Sequence, residues 1–177
     1  KGTIVINRES YTDAGKFSEG LVSVEIKDKW GFINKSGDQV IAPQFDWAGK
    51  FSEGLAAVRF DRWNVKIPFG KFKGEEVVSN AYGFIDKSGK IVIEPQFIGH
   101  APPYDDNLPV GSFSEGLAKV EDAFTNKWGY INRSGEVVIE PQFDEAEDFS
   151  GGLALVEIGD EKGYIDKTGK FIWRAKD

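Results

Sequence analysis

The chain of 177 residues contains no cysteine, no methionine and only one histidine. The absence of cysteine excludes disulfides, thiolate metal sites and cysteine nucleophiles. Because methionine is absent, Lys1 is not a natural translation start, and we expect the chain to be processed or cut from something larger. No stretch approaches the roughly 20 consecutive apolar residues that a spanning helix needs, so membrane insertion is not expected.

The sequence also has fewer basic than acidic residues. The sequence has 22 Lys and Arg against 29 Asp and Glu, which gives a net charge of −7. A protein that neutralises phosphates needs a basic face, so nucleic acid is not expected as a partner. The hydrophobic content of 40% is typical of a folded globular chain with a real core.

Three landmarks recur along the chain in a fixed order, with a base period of 34 to 36 residues and one longer step of 62 residues across the second unit. The block Phe-Ser-Glu-Gly-Leu begins at Phe17, Phe51 and Phe113, and returns as Phe-Ser-Gly-Gly-Leu at Phe149. Gly-(Phe/Tyr)-Ile follows each block, and (Ser/Thr)-Gly follows that. We therefore interpret 1–177 as a single repeat domain. Its predicted parts are a partial unit 1–16 and units 17–50, 51–112, 113–148 and 149–177, with insertions at 61–81 and 98–112 in the second unit.

Each unit is predicted to contain three short strands. Val22, Val24 and Ile26 alternate with polar residues, which is typical of a half-buried first strand. The middle strand places the aromatics of Trp30-Gly31-Phe32-Ile33 on one face, and its glycine predicts a close approach by another segment. An Asn or Asp and a Gly, as in Asn34-Lys35-Ser36-Gly37, then predict a tight turn.

The third strand is apolar on both faces, as in Val137-Val138-Ile139, so we expect it to be the most buried of the three. Proline cannot donate to a strand ladder, so the prolines that follow are predicted to end this strand: Pro43, Pro95 and Pro141. The fold prediction is all-β: a tandem repeat of about four antiparallel three-stranded units in an open curved array. The alternative is a closed barrel- or propeller-like ring.

The motifs Lys29-Trp30-Gly31-Phe32-Ile33-Asn34 and Lys127-Trp128-Gly129-Tyr130-Ile131-Asn132 resemble the WG (KWG) repeat family, which is mainly bacterial. The Phe-Ser-Glu-Gly-Leu and Pro-Gln-Phe blocks extend this resemblance over nearly the whole chain outside the insertions. It departs at Tyr82 and Lys162, where the signature tryptophan is replaced. The resemblance implies a β-rich module, often exported and often one part of a larger protein. It implies no reaction, so neither catalytic residues nor a cofactor are expected.

Such arrays present long surfaces, so we expect a non-catalytic binding or scaffolding module whose partner is a protein or a larger parent assembly. Surface insertions commonly carry function, so the partner is expected to contact the two insertions. The residues predicted to bind it are Trp63, Phe69, His100, Tyr104, Asp105 and Asp106. His100 is the only histidine that a triad or a histidine metal site could use, and the simpler interpretation is a loop residue. The Asp105-Asp106 pair lacks the spacing of an EF-hand, which favours a solvated acidic turn.

Two other functions stay open from the sequence. Trp30, Tyr82 and Trp128 form an aromatic column on which a glycan could stack, as in a carbohydrate- or cell-wall-binding module. We favour the competing interpretation, that these residues fill the core between neighbouring units. A hydrolase would need two carboxylates facing each other in a cleft, which the sequence cannot locate.

Overall fold

The computed structural model describes residues 11–99 and 108–175. Over these residues the protein is all-β, with fifteen strands in four small antiparallel sheets and no helix. None of these described sheets is closed into a barrel. The prediction of an all-β tandem repeat is therefore confirmed.

The sheets follow one another along the chain. The first contains, in spatial order, β1 (Asp13–Ala14), β2 (Leu21–Ile26), β3 (Lys29–Asn34) and β4 (Gln39–Phe45). The second contains β5 (Trp47–Ser52), β6 (Leu55–Lys66), β7 (Glu76–Asp86) and β8 (Ile91–Ile98). The third contains β9 (Leu117–Asp122), β10 (Lys127–Asn132) and β11 (Val137–Phe143). The fourth contains β12 (Glu145–Ala146), β13 (Leu153–Ile158), β14 (Glu161–Asp166) and β15 (Phe171–Arg174).

The glycine of each middle strand lies against the backbone of the strand that follows it. A Cβ atom at Gly31 would lie 2.5 Å from the carbonyl oxygen of Ile41 and 2.7 Å from the nitrogen of Pro43. The same crowding occurs at the other three glycines of this type, Gly83, Gly129 and Gly163. The predicted close approach is confirmed, and its source is the neighbouring strand of the same sheet.

The prediction that proline ends the third strand was wrong. Trp30 pairs with Phe45 while Phe32 pairs with Ile41, so β4 carries extra residues in a bulge opposite β3. Pro43 lies in this bulge, where a missing N–H interrupts no regular ladder bond. The strand therefore continues past its proline, and β8 and β11 do the same.

The prediction that the third strand is the most buried was also wrong. Val40, Val92 and Val138 are 43–44% exposed, because this strand lies at the edge of its sheet. The middle strand is the buried one: Phe32 and Ile33, on opposite faces of β3, are 1% and 0% exposed.

The two faces of a middle strand pack into different cores, which stacks the sheets in chain order. Tyr82 and Phe84 of β7 share a core with Ile131 of the third sheet. Ile85, on the other face of the same strand, packs with Phe32 of the first sheet. Each inter-sheet core thus joins the aromatic face of one sheet to the isoleucine face of the next.

The predicted tight turns are confirmed. The side-chain oxygen Oδ1 of Asn34 accepts hydrogen bonds from the backbone N–H groups of Ser36 and Asp38, both at 2.9 Å. Gly37 adopts a φ of 87°, the left-handed conformation that closes the turn.

Candidate interaction surfaces

The first insertion lengthens a hairpin. Beyond an irregularity after Phe60, β6 and β7 stay paired as far as Lys66 and Glu76. The segment 61–81 is therefore mostly a regular extension of two strands, and its tip packs against the third sheet.

Two residues predicted to bind a partner lie on this hairpin. Trp63 is partly buried, and its ring centroid lies 4.7 Å from that of Phe60. Phe69 is only 3% exposed and stacks on Phe97 at 6.2 Å, in the core between the second and third sheets. Its ring anchors the hairpin tip and is not available at the surface. The other four predicted residues lie outside the described residues, so those predictions remain predictions: His100, Tyr104, Asp105 and Asp106.

The hairpin tip ends in an aromatic contact with the third sheet. The rings of Phe72 and Phe124 lie 4.9 Å apart, and Lys71 Nζ is 5.4 Å from the Phe72 ring. Phe124 is 48% exposed and sits in the turn between β9 and β10. We call Lys71, Phe72 and Phe124 the hairpin-tip patch.

Asp122 holds Phe124 in place. Its Oδ1 accepts a hydrogen bond from the Phe124 N–H at 3.1 Å, and its Oδ2 accepts one from the Thr125 hydroxyl at 2.9 Å. Sequence reasoning missed Phe124, because it falls between the repeat landmarks. The sequence did contain one signal. The corresponding turn of the first unit consists of Lys27 and Asp28, whereas the turn of the third sheet contains an aromatic residue.

The aromatic column is part of the core. Tyr82 and Trp128 are 0% and 7% exposed, and Trp30 is partly buried against the core between the first two sheets. Lys119 Nζ lies 4.6 Å from the Trp128 ring. The interpretation that these rings fill the space between units is confirmed. Lys162, which takes this position in the fourth sheet, is exposed.

Three aromatic pairs join consecutive sheets. We call the first residue of each Phe-Ser-x-Gly turn the turn phenylalanine, and the second aromatic residue of each middle strand the strand aromatic. In each pair, a turn phenylalanine packs on the strand aromatic of the preceding sheet. The centroid distances are 4.8 Å for Phe51 on Phe32, 5.0 Å for Phe113 on Phe84 and 4.9 Å for Phe149 on Tyr130. A serine hydroxyl of the preceding turn donates to the turn phenylalanine's carbonyl at 2.7 Å in two junctions: Ser52 to Phe113 and Ser114 to Phe149.

A glutamate of the turn adds an ionic link at each junction. Glu19 Oε2 accepts a hydrogen bond from the Gly54 N–H at 3.0 Å and pairs with Lys87 Nζ at 3.0 Å. This hydrogen bond from Lys87 is the largest influence lowering the pKa of Glu19. The other junctions repeat the arrangement: Glu53 with Gly116 and Arg133, and Glu115 with Gly152 and Lys167. We call Glu19, Glu53 and Glu115 the inter-sheet glutamates.

These glutamates adopt an unfavourable backbone conformation. Glu19, Glu53 and Glu115 have φ values of 50°, 51° and 52°, in the left-handed region that costs a non-glycine residue about 1 kcal/mol or more. In the fourth sheet Gly151 occupies this position, with a φ of 62°. Glutamate is thus present where its carboxylate links two sheets, and glycine where the described structure has no following sheet.

Arg59 of β6 occupies the position that Glu25 occupies in β2 of the first sheet. It pairs with Trp47 of β5 on one side and with Tyr82 of β7 on the other. Its side chain is buried, and its Nε lies 2.8 Å from Asp61 Oδ1 without the alignment of a hydrogen bond. Its Nη2 donates to the Asp46 carbonyl at 3.4 Å. The guanidinium therefore ties the start of the second sheet to the base of the long hairpin.

The fourth sheet has an acidic groove of about 210 Å³. Glu145, Glu147 and Glu157 line it together with Leu155. Lys162 Nζ pairs with Glu157 at 2.9 Å, and this hydrogen bond is the main reason that the pKa of Lys162 is raised. Since Glu157 neutralises Lys162, the groove keeps a net negative charge.

Within residues 11–99 and 108–175, no group of three or more histidine or acidic side chains is arranged to hold a metal ion. The same part of the chain forms no helix that could cross a membrane.

The comparisons with known proteins point to one family. A family model described as "WG containing repeat" matches residues 1–30, 30–62, 82–97 and 128–161, which is well over half of the chain. These matches leave out most of the long hairpin and the second insertion. No curated protein matches the chain.

Proposed function

Because this chain belongs to the family of proteins built from WG-containing repeats, we propose that it is a non-catalytic module that binds a protein partner. Its repeats stack into a scaffold whose cores are filled by the motif residues themselves. Partner recognition then falls to what the repeat does not contain, which is the insertions and the turns beside them.

The hairpin-tip patch carries this proposal. An aromatic side chain that is half exposed and held in a hydrogen-bonded turn is typical of an interface anchor. Phe124 has both properties, and Phe72 enlarges the apolar area beside it. Lys71 supplies a cation at the rim.

The patch borders the second insertion as well. A shallow depression next to Phe124 is lined by Pro68 of the hairpin and by Ile98, where the second insertion begins. A partner seated on Phe124 would therefore touch both insertions. Trp63 lies on the same hairpin, farther from its tip.

A photoactivatable amino acid at position 124, introduced into the protein in its source cells, tests the proposal. We expect a discrete protein adduct from position 124 and none from position 138, because Val138 is similarly exposed but lies on an edge strand of the repeat scaffold. Phe72→Ser should remove the adduct formed at position 124 without changing the melting temperature by more than a few degrees. Equal adducts from both positions, or none from position 124, would refute the proposed surface.

The carbohydrate alternative is distinguished by a glycan array. Tyr82 and Trp128 of its aromatic column are buried and Trp30 is partly buried, so we favour a protein partner instead. Glycan binding that is unaffected by Phe124→Ser would favour the alternative.

A further inference from the structure

The long hairpin has an outer edge that no described strand covers. β5 pairs with β6 only as far as Arg59, and the Asp61 N–H beyond it donates instead to the side-chain oxygen Oδ2 of Asp46 at 2.9 Å. From there to Lys66, β6 is paired on one side only, with β7. Asn64 and Lys66 are both exposed, which leaves this edge open to solvent.

The register of the hairpin shows which backbone groups point outward. The N–H of Ile67 donates to the Glu75 carbonyl at 2.9 Å across the hairpin. Alternate residues of an antiparallel strand bond to the same neighbour, so Val65 also bonds to β7, whereas Asn64 and Lys66 direct their N–H and C=O groups away from it. An extended polypeptide needs such outward groups in order to add a strand.

This edge is regular where other edges are interrupted. The edge strands β4, β8 and β11 each contain a proline, which removes a donor, and a shift in register. β6 contains no proline, and between Trp63 and Lys66 its pairing with β7 has no register shift. The backbone of β6 therefore does not block pairing with another chain here.

The edge lies in a basic segment of an acidic protein. Residues 62–74 contain neither Asp nor Glu and include four cations: Arg62, Lys66, Lys71 and Lys73. The other residues carry a net charge of −11, since the whole chain carries −7. None of the four cations forms an ion pair with another described residue. Their charges are therefore available to a partner.

We propose that the protein partner of this module adds an extended acidic segment as a strand to the outer edge of β6. The inference rests on the proposed function, because it specifies the chemistry of the partner at the same hairpin. Main-chain hydrogen bonds hold the added strand, and Arg62 and Lys66 select carboxylates. One face of the added strand lies beside Lys66, and the other lies beside Trp63 and Val65. Acidic residues of the segment should therefore alternate with apolar ones.

The charge distribution favours a protein segment over a nucleic acid or an anionic membrane. Those polyanions extend far beyond this short edge and would meet the net negative charge of the rest of the chain. A short acidic segment needs a basic surface only where it lies. The same cations repel basic strands and discourage uncharged ones, so they select the partner as well as preventing unwanted pairing.

Amide hydrogen exchange measured by NMR tests the proposal. The probe is an octapeptide of alternating glutamate and valine with capped ends, and its control has lysine in place of glutamate. At saturation, the glutamate peptide should slow exchange of the Asn64 and Lys66 amides roughly tenfold, because both become hydrogen-bonded. Exchange at Val65 should not change, because this amide is already bonded to β7. The lysine peptide should have no effect.

Two variants at one position separate the backbone from the side chain. Asn64→Pro removes the outward N–H, which bonds to no described strand, so this variant should melt within a few degrees of the wild type but bind the glutamate peptide roughly tenfold more weakly. Asn64→Ala removes only the side chain and should bind like the wild type. Lys66→Glu should abolish binding. Lys90→Glu reverses an exposed cation in the turn between β7 and β8 and should leave binding unchanged.

The photoactivatable residue at position 124 separates this inference from the proposed function. In the source cells, the adduct should disappear in the Asn64→Pro background and persist in the Asn64→Ala background. An adduct that persists in both backgrounds would overturn strand addition and leave the proposed surface intact. The absence of any adduct in the wild-type background would refute the proposed surface, while the peptide experiment would still decide strand addition.

Three results with the peptides would overturn the inference. The glutamate peptide could leave exchange of the Asn64 and Lys66 amides unchanged. Asn64→Pro and Asn64→Ala could bind it equally well although both are folded, which would show that the backbone of β6 takes no part. The lysine peptide, or an oligothymidylate of eight nucleotides, could bind as tightly as the glutamate peptide. That result would assign the edge to unselective pairing or to a nucleic acid.

Discussion

Gly83→Ala is expected to destabilise the protein severely, although it adds a single methyl group. The new Cβ would lie 2.5 Å from the Ile93 carbonyl oxygen and 2.8 Å from the Pro95 nitrogen. Ordinary contacts begin near 3.4 Å, so β8 must move away from β7 by roughly 1 Å. Both obstructing atoms belong to the backbone, so no side-chain rotation relieves the clash. We expect a loss of about 3 kcal/mol or more, at the upper end of what overpacking costs.

Gly37→Ala is the matched control. Gly37 has a φ of 87° and no other atom within 4 Å of a built Cβ, so alanine there meets conformational strain alone. This strain costs about 1–2 kcal/mol. Urea unfolding followed by tryptophan fluorescence compares the two variants at unchanged m-value. A Gly83→Ala variant that loses no more stability than Gly37→Ala would refute the close-approach explanation of the repeated glycine.

Three further predictions concern the junctions between sheets. Phe113→Ala should cost about 3–5 kcal/mol, because this ring is 1% exposed and packs on Phe84; calorimetry should show the loss, and an unchanged melting temperature would contradict the packing argument. Glu19→Gln should cost up to about 1 kcal/mol by chemical denaturation, since the amide can still accept the Gly54 hydrogen bond but no longer pairs with Lys87. A Glu19→Gln variant as stable as the wild type would show that the charge is irrelevant. Acid should weaken the junctions, because the pKa of Glu19 in the folded protein is below its usual 4.5. The contribution of Glu19 to the free energy of unfolding is complete above pH 4.5 and disappears as the pH falls through the folded pKa. The Glu19→Gln variant should therefore lose less stability than the wild type on acidification.

Much of the fold could be predicted from local chemistry. The Asn-x-x-Gly turns depend on neighbouring residues only, and their prediction is confirmed. The two-residue alternation correctly predicted that β2 is a strand, but the expectation that it is half-buried was wrong, because Ser23 between Val22 and Val24 is only 2% exposed. A close approach to Gly31 could be predicted, but the approaching segment could not, because a glycine in a strand does not indicate which segment lies against it. The third-strand errors have the same origin: burial depends on a strand's place in its sheet, and β4 lies at an edge.

The candidate surfaces were harder to predict. Phe69 and Phe124 are both aromatic residues in or near a turn, yet one is buried and the other half exposed. Composition cannot separate them, because the difference comes from how the hairpin tip folds back against the third sheet. The inter-sheet glutamates were visible as part of a repeated turn, but their link to the next sheet joins residues 35 or more positions apart, such as Glu19 and Gly54.

The proline-bearing bulges also protect the protein from unwanted pairing with other chains. β4, β8 and β11 each lie at the rim of a sheet, where a straight strand would offer its amides to any extended polypeptide. Pro43, Pro95 and Pro141 each remove one donor, and the bulge distorts the line of the rest. The fourth sheet ends instead on Phe171-Ile172-Trp173-Arg174, without a proline. Of these four rims, β15 is therefore the one most open to fibril-like growth when the protein is concentrated or partly unfolded.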